Sequence, residues 1–188
     1  MSCDKLGELK ISHGSLWSSH FYLTRAVIVA AVNKLESLSV DVEVLNNNQK
    51  DLGMCFSQLV KEENYSIGNS LEIALREHIK IAIEIVSNAI AKKDIAQKIE
   101  EWKKNGTDIA KIYSFYTNNR INLEKMNNMM QMHLTTTLEE AVAIISGKSK
   151  ESVKKGNIAL EHVISMAEYI NSGFSCNCHC CGSCECKS

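Results

Sequence analysis

Residues 176–186, near the C-terminus, carry the densest set of metal-ligating side chains in the chain. This segment reads CNCHCCGSCEC, so it contains six of the eight cysteines together with one histidine. Thiolates bind soft or borderline ions such as Zn²⁺ and Cu(I), and closely spaced thiolates can share ions in clusters. We therefore predict a soft-metal site with these candidate ligands: Cys176, Cys178, His179, Cys180, Cys181, Cys184 and Cys186.

The spacing of these cysteines resembles a segment of metallothionein, which implies that the thiolates act as metal ligands. The two separated C-x-x-C pairs typical of zinc fingers do not occur in the segment. Two other interpretations stay open. A thiol-rich tail can form adventitious or intermolecular disulfides, and clustered terminal cysteines can be palmitoylated, although no polybasic or apolar flank favours palmitoylation here.

Four histidines form a second candidate site, because they fall in four different long helices that the sequence predicts. They are His20, His78, His133 and His162. Each lies on or beside an apolar stripe, so the four side chains can all point toward the axis of a helical bundle, where helix-borne metal ligands are held. The Glu-x-x-His motif of ferritin-like di-iron bundles does not occur.

The carboxylates near these histidines do not readily complete a single metal site. Glu140 follows His133 by seven residues, which places it about 10 Å further along a straight helix. Thr137 and Glu140 also match the Thr-x-x-Glu pattern of a capping box, which predicts a helix start at this point.

Motifs along residues 16–174 resemble a family of uncharacterised helical-bundle proteins found in bacteria and large DNA viruses. They are W-x-x-H with T-R at 17–25, N-Q-x-D-x-G at 48–53, H-I-x-x-A at 78–82, W with D-I-A at 102–110, H-L-x-x-T-x-x-E at 133–140 and H-V-x-x-M-A at 162–167. The resemblance implies a polar signature that converges in the bundle, formed by His20, Asp51, His78, His133, Glu140 and His162. It implies no established activity. This chain lacks the prolines that the bacterial members carry in two connections.

Three interpretations of the histidine set are open: a buried hydrogen-bonded network, a metal or small-ligand site, and a catalytic centre. Buried imidazoles need hydrogen-bond partners. Side chains that can supply them are Asp51, Glu140, Arg25 and Gln49. We favour the network, and we favour a protein that is not an enzyme.

The residues between these candidate sites predict an all-α protein. Proline is absent and glycine numbers only 9, so the strongest helix breakers are scarce, while 45% of the residues are hydrophobic and can build a core. Apolar residues recur at three- and four-residue spacing, which is typical of amphipathic helices. Helices are predicted at 16–38, 40–60, 71–89, 95–102, 107–116, 123–145 and 149–170.

These elements predict an up-and-down, four-helix-type bundle with an extra short helical pair and an irregular cysteine-rich tail. The short pair is divided at Asn105 and Gly106, where glycine predicts a helix end and Thr107 a new helix start. The predicted division of the chain is a flexible N-terminus at 1–14, a bundle domain at 15–173 and a tail at 174–188.

The charge balance and the hydropathy of the chain indicate which classes of partner and which location to expect. Lys and Arg total 21 against 22 for Asp and Glu, so no basic excess predicts nucleic-acid binding. No apolar run approaches the roughly 20 residues of a membrane span, and no signal-peptide pattern opens the chain. We expect a cytoplasmic protein, or one in the virion or host cell if its source is viral.

Two classes of function remain on these grounds. One is a metal-binding protein that takes Zn or Cu(I) through the tail, with a further histidine-lined site in the bundle. The other is a non-enzymatic interaction protein, viral or cellular, whose bundle binds a protein partner or a second copy of the chain.

Overall fold

The computed structural model describes residues 2–60 and 66–175, which form six α-helices. These are α1 (Cys3–Asn33), α2 (Leu38–Leu59), α3 (Ser66–Ile90), α4 (Ala96–Tyr116), α5 (Leu123–Ile145) and α6 (Ser149–Ser172). No strand occurs among the described residues, so the predicted all-α class is confirmed. Within the same residues, no helix has the length and apolar character needed to cross a membrane.

Consecutive helices pack side by side, and the last helix returns to the first. Each helix from α1 to α5 packs against the next one, and α6 also packs against α1. Connections such as residues 34–37 and 146–148 are too short to cross the bundle, so the helices that they join run antiparallel. The predicted helical bundle is therefore confirmed.

The N-terminal residues, predicted to be flexible over 1–14, belong to α1 from Cys3 onward. Ser2 caps this helix by accepting a hydrogen bond from a backbone N–H in the first turn (3.2 Å). Leu6, Leu9 and His13 are buried, and their three- and four-residue spacing continues the apolar stripe of the helix. The prediction was wrong because polar residues between these three side chains obscured the stripe.

α4 is one continuous helix where two short helices were predicted. Asn105 lies inside it and donates its amide to a backbone carbonyl of α3 (3.0 Å). A Cβ at Gly106 would stand 3.3 Å from Leu134 Cδ1, so this glycine lets α4 approach α5. Thr107, the predicted start of a second helix, donates to the carbonyl of Lys103 within the same helix (3.2 Å).

α5 is also continuous, as the prediction of one long element at 123–145 allows. The hydroxyls of Thr135 and Thr136 donate to carbonyls one turn earlier (2.9 and 3.1 Å), so the threonine run satisfies its polar atoms inside the helix. Thr137 and Glu140 lie in the helix interior, which means that the predicted capping box is wrong. The helix instead begins with Asn122 as its N-cap.

Glycines bring helices into close contact at two places. Gly53 of α2 faces Gly68 of α3: a Cβ on Gly68 would lie 2.7 Å from Gly53 O, and a Cβ on Gly53 would overlap Gly68 O. At Gly156 of α6 a Cβ would lie 2.6 Å from Glu140 Oε1. Gly156 therefore leaves room for the ion pair between Arg25 of α1 and Glu140 of α5.

The apolar core consists of one large cluster and three small ones. The large cluster contains Trp17 and Phe56 and fills the half of the bundle where α1 begins and α6 ends. The three small clusters occupy the other half. One surrounds Trp102, one contains Leu45 and one contains Ile28.

The contact between the two glycines generates a stability prediction. We expect Gly68→Ala to lower the free energy of unfolding by about 1–3 kcal/mol, because its Cβ would meet the backbone of α2, which cannot move aside as a flexible side chain can. Urea denaturation followed by circular dichroism measures this change.

Gly7→Ala is the matched control, since no atom of the described residues lies within 4 Å of a Cβ at this position of α1. We expect Gly7→Ala to raise the free energy of unfolding by up to about 1 kcal/mol, because alanine has a higher helix propensity than glycine. A Gly68→Ala protein as stable as the wild type would contradict the close packing of α2 and α3.

Candidate functional site

Three of the four predicted histidines come together at the centre of the bundle. His133 of α5 lies between His20 of α1 and His78 of α3, with ring centroids 5.8 Å and 5.9 Å apart. All three side chains are buried. We call these three residues the histidine layer.

Two tryptophans extend the histidine layer into a row of five rings across the bundle. The ring of Trp17 lies 5.4 Å from that of His20, and the ring of Trp102 lies 5.0 Å from that of His78. The indole N–H of Trp102 donates to the backbone carbonyl of His78 (3.1 Å). That of Trp17 donates to His13 Nε2 (3.1 Å), so both indole donors are satisfied.

An amide on α4 sets the tautomer of His78. Asn105 Oδ1 lies 2.9 Å from His78 Nδ1, while the NH₂ group of Asn105 donates to Ala74 O (3.0 Å). Because the second bond fixes which way the amide points, His78 Nδ1 must carry the proton and donate it. Its Nε2 therefore keeps the lone pair.

An amide on α2 sets the opposite tautomer at His20. Gln49 Nε2 donates to Leu45 O (2.7 Å) and lies 3.2 Å from His20 Nδ1. Reversing this amide would place two oxygens 2.7 Å apart, so the NH₂ group faces the ring and His20 Nδ1 accepts. The proton of neutral His20 is then on Nε2. Gln49 Oε1 and His133 Nδ1 are buried without a hydrogen-bond partner among the described residues.

Burial keeps the histidine layer uncharged. It lowers the pKa of His20 to about 3 and that of His78 to about 4, and it holds the pKa of His133 well below its ordinary value. Repulsion between neighbouring rings adds to the shift at His20 and His133. Burial also lowers the pKa of His13 to about 4, against a smaller opposing effect of Asn171. These imidazoles are therefore neutral at pH 7.

The other three members of the predicted signature do not join the histidine layer. Asp51 is exposed on α2, and Glu140 is buried but pairs with Arg25. His162 is half-buried, and its Nε2 lies 2.8 Å from Met129 O. The predicted convergence of all six side chains is thus wrong, because each of these three has a different local partner or faces solvent.

The sequence patterns do not identify three residues that hold the rings: His13, Trp17 and Asn105. His13 lies in the segment predicted to be flexible, Trp17 belongs to one of the family motifs, and Asn105 fits a predicted break between helices. The four-residue spacing from His13 to Trp17 is a signal that places both on one helix face. No local signal identifies Asn105, since its partner is on another helix.

The described part of the bundle does not present a ready metal centre. No three His, Cys, Asp or Glu side chains within it are grouped as metal ligands. The rings of His78 and His133 are nearly parallel, at 18°, so they face each other. Cys55 is a buried thiol that donates to Leu9 O (3.6 Å), and burial raises its pKa to about 11, which disfavours the thiolate that metals need.

The predicted ligands at 176–186 lie outside the described residues, but the chain leading to them is anchored. Phe174 is buried in the large core cluster, and its carbonyl accepts a hydrogen bond from Lys10 Nζ (2.6 Å). Asn171 donates to the carbonyl of Lys10 (2.9 Å). The guanidinium of Arg120 lies over the Phe174 ring at 5.7 Å. The end of α6 is therefore fixed to α1 and to the residues that follow α4.

Comparison with known proteins adds no functional information. No family model matches the chain, and no curated protein or solved structure matches it significantly. The family resemblance of the motifs stays a prediction, and so the functional argument rests on geometry and on the chemistry of the tail.

The lowered pKa values predict how stability depends on pH. Histidines titrate near pH 6.5 in an unfolded chain, whereas His13, His20 and His78 have folded pKa values of about 3 to 4. Above pH 6.5 these groups are neutral in both states and add no pH dependence. Below it the unfolded chain binds protons that the folded chain does not, so the free energy of unfolding should fall as pH drops from 6.5 toward 4.

Urea denaturation at constant ionic strength between pH 7.5 and 4.5 measures this slope. His133→Leu removes one group that binds a proton on unfolding. It should therefore reduce the slope of the free energy of unfolding against pH by up to about 1.4 kcal/mol per pH unit. Met132→Leu, an exposed site on the same helix, should keep the wild-type slope. Stability that does not change across this range would show that the imidazoles are not buried in neutral form.

Proposed function

We propose that the protein binds soft metal ions through its cysteine-rich tail, with the helical bundle as the scaffold that carries the tail. The observation that carries this proposal is the concentration of six cysteines and one histidine within residues 176–186. A tetrahedral Zn²⁺ takes about four ligands, so seven donors exceed the needs of one ion. Bridging thiolates would let two or more ions share the segment.

The anchoring of the C-terminal end supports the scaffold role. Phe174 is held by the core and by Lys10, so the first ligand, Cys176, is only two residues beyond a fixed point. The bundle therefore fixes the point from which the cysteine-rich segment starts, at the end of the bundle where α1 begins.

The histidine layer is a second candidate for metal binding. Its rings are neutral, as metal ligands must be. His78 donates its Nδ1–H to an amide and keeps the lone pair on Nε2, as metal-bound histidines usually do. His20 does not follow this pattern, because its proton is on Nε2. Against this, the stacking of His133 on His78 would have to change before both could reach one ion. We therefore assign metal binding to the tail first.

Metal content after reduction and exhaustive dialysis tests the proposal. We expect the reduced wild-type protein to retain more than one equivalent of Zn²⁺ or Cu(I), because the donors outnumber the roughly four that one ion needs. A variant with serine at all six tail cysteine positions should lose most of it. Cys55→Ala should retain the wild-type amount, since Cys55 is buried and its thiol donates to Leu9 O. Elemental analysis by mass spectrometry measures all three.

The same measurement separates the two candidate sites. If the tail variant keeps its metal and the His133→Leu variant loses it, the metal binds at the histidine layer. That result would contradict the assignment to the tail. If wild type and tail variant are both metal-free, the metal proposal fails and the predicted interaction function replaces it.

A further inference from the structure

Beyond the histidine layer, the bundle encloses a cavity of about 100 Å³. It is lined by seventeen residues from α1 to α5, of which fourteen are apolar and three carry hydroxyls, Thr24, Ser87 and Thr137. No charged residue is among this lining in the described part of the chain. The cavity therefore offers mainly van der Waals contacts to whatever enters it.

The cavity explains why the apolar core in this half of the bundle consists of three small clusters and not one. Each of the three small clusters contributes to its wall, for example through Trp102, Leu45 and Ile28. The large cluster in the other half closes on bulky side chains such as Phe56. Around the cavity, three of the lining positions are instead alanine: Ala31, Ala82 and Ala141. Small side chains on three different helices leave the space between them unfilled.

The histidine layer closes one end of the cavity. Thr24, Ala82 and Thr137 line the cavity, and each follows a histidine of the layer by four residues, or about one helical turn. The layer thus lies directly beneath the cavity on α1, α3 and α5. It separates the cavity from the large core cluster.

The opposite end of the cavity reaches the surface. Among its lining residues, Ala31, Leu38 and Ile83 are half-buried and Ser87 is exposed. Ser87 is the one lining residue classed as exposed within the described part of the chain, so we infer that the route of entry is from its side. This route lies where α1 and α3 end and α2 begins.

We propose that this cavity is a binding site for one small, uncharged, apolar molecule no larger than about benzene. An apolar cavity of about 150 Å³, engineered in another protein, stays dry and binds benzene or xenon, and this cavity is somewhat smaller. Water would need two to four polar partners. The lining supplies three hydroxyls: Thr24 and Thr137 at the histidine end, where Thr24 Oγ1 is buried without a partner among the described residues, and Ser87 at the other end. A charged ligand would lose its hydration without a counter-charge.

Xenon and benzene are the probes for this site. In crystals pressurised with xenon, we expect an anomalous peak between Ile28, Ile85 and Ala141, which line the cavity. In solution, benzene should produce saturable one-to-one shifts of amide NMR signals from the same residues. Benzoate, which adds only a carboxylate to the ring, should bind at least tenfold more weakly.

Cavity-filling variants supply the test of location. Ala141→Leu and Ala82→Leu fill the cavity from different helices, and each should weaken benzene binding at least tenfold while circular dichroism stays helical. Ala91→Leu is the control, because Ala91 is exposed and outside the cavity, so binding should be unchanged.

Three results would overturn the proposal. They are the absence of a xenon peak in the wild-type cavity, benzene binding that persists in a folded filled variant, and benzoate binding as tight as that of benzene. If neither filled variant folds, the xenon peak in wild-type crystals decides the question. The metal content of the tail plays no part in any of these outcomes, so they are independent of the proposed metal function.

Discussion

Side chains from five of the six helices form or support the histidine layer. Neighbouring imidazole rings in this layer are less than 6 Å apart in the bundle core, so all of them must stay neutral. A charged ring there would lack solvent and would repel its neighbours. A neutral ring in turn must find a donor for one nitrogen and an acceptor for the other. His20, His133 and His78 come from three helices, and the amides of Gln49 and Asn105 come from two more. Rotating any of these helices by one residue would take a ring or an amide out of the layer, so the layer helps to specify their register.

The sixth helix packs against a different polar contact, the ion pair between α1 and α5. Glu140 lies two turns beyond His133 on α5, and its partner Arg25 lies five residues beyond His20 on α1. Gly156 of α6 packs against this pair because it has no side chain to exclude it. α5 therefore carries two buried polar residues with different partners: His133 lies beside the other histidines of the layer, and Glu140 pairs with Arg25. The sequence spacing of His133 and Glu140 is the same whether the two side chains share one site or belong to two separate ones, so the spacing alone cannot tell these cases apart.

The sequence predicts the class and the helices well, because apolar spacing on each helix is a local signal. It also predicts that the four histidines on these stripes can meet, and His20, His78 and His133 do, whereas His162 does not. It misplaces Asp51, whose position on an exposed face depends on how α2 is rotated. It also breaks α4 at Asn105 and Gly106, where both residues fit a turn locally. Only contacts with α3 and α5 show that they belong inside a helix, and such contacts are not encoded in neighbouring residues.

Two features of the bundle reduce its stability, and they are neighbours. Polar atoms of His133 and Gln49 are buried without partners in the part of the chain that the structure describes, which costs free energy that an apolar layer would not. One turn away, alanines on three helices leave a cavity, which also costs stability relative to a filled core. The large cluster at the other end, where Phe174 is anchored, shows close packing instead. Because proteins depart from consistent packing mainly at functional sites, the adjacent layer and cavity support our proposal of a ligand site in this half of the bundle.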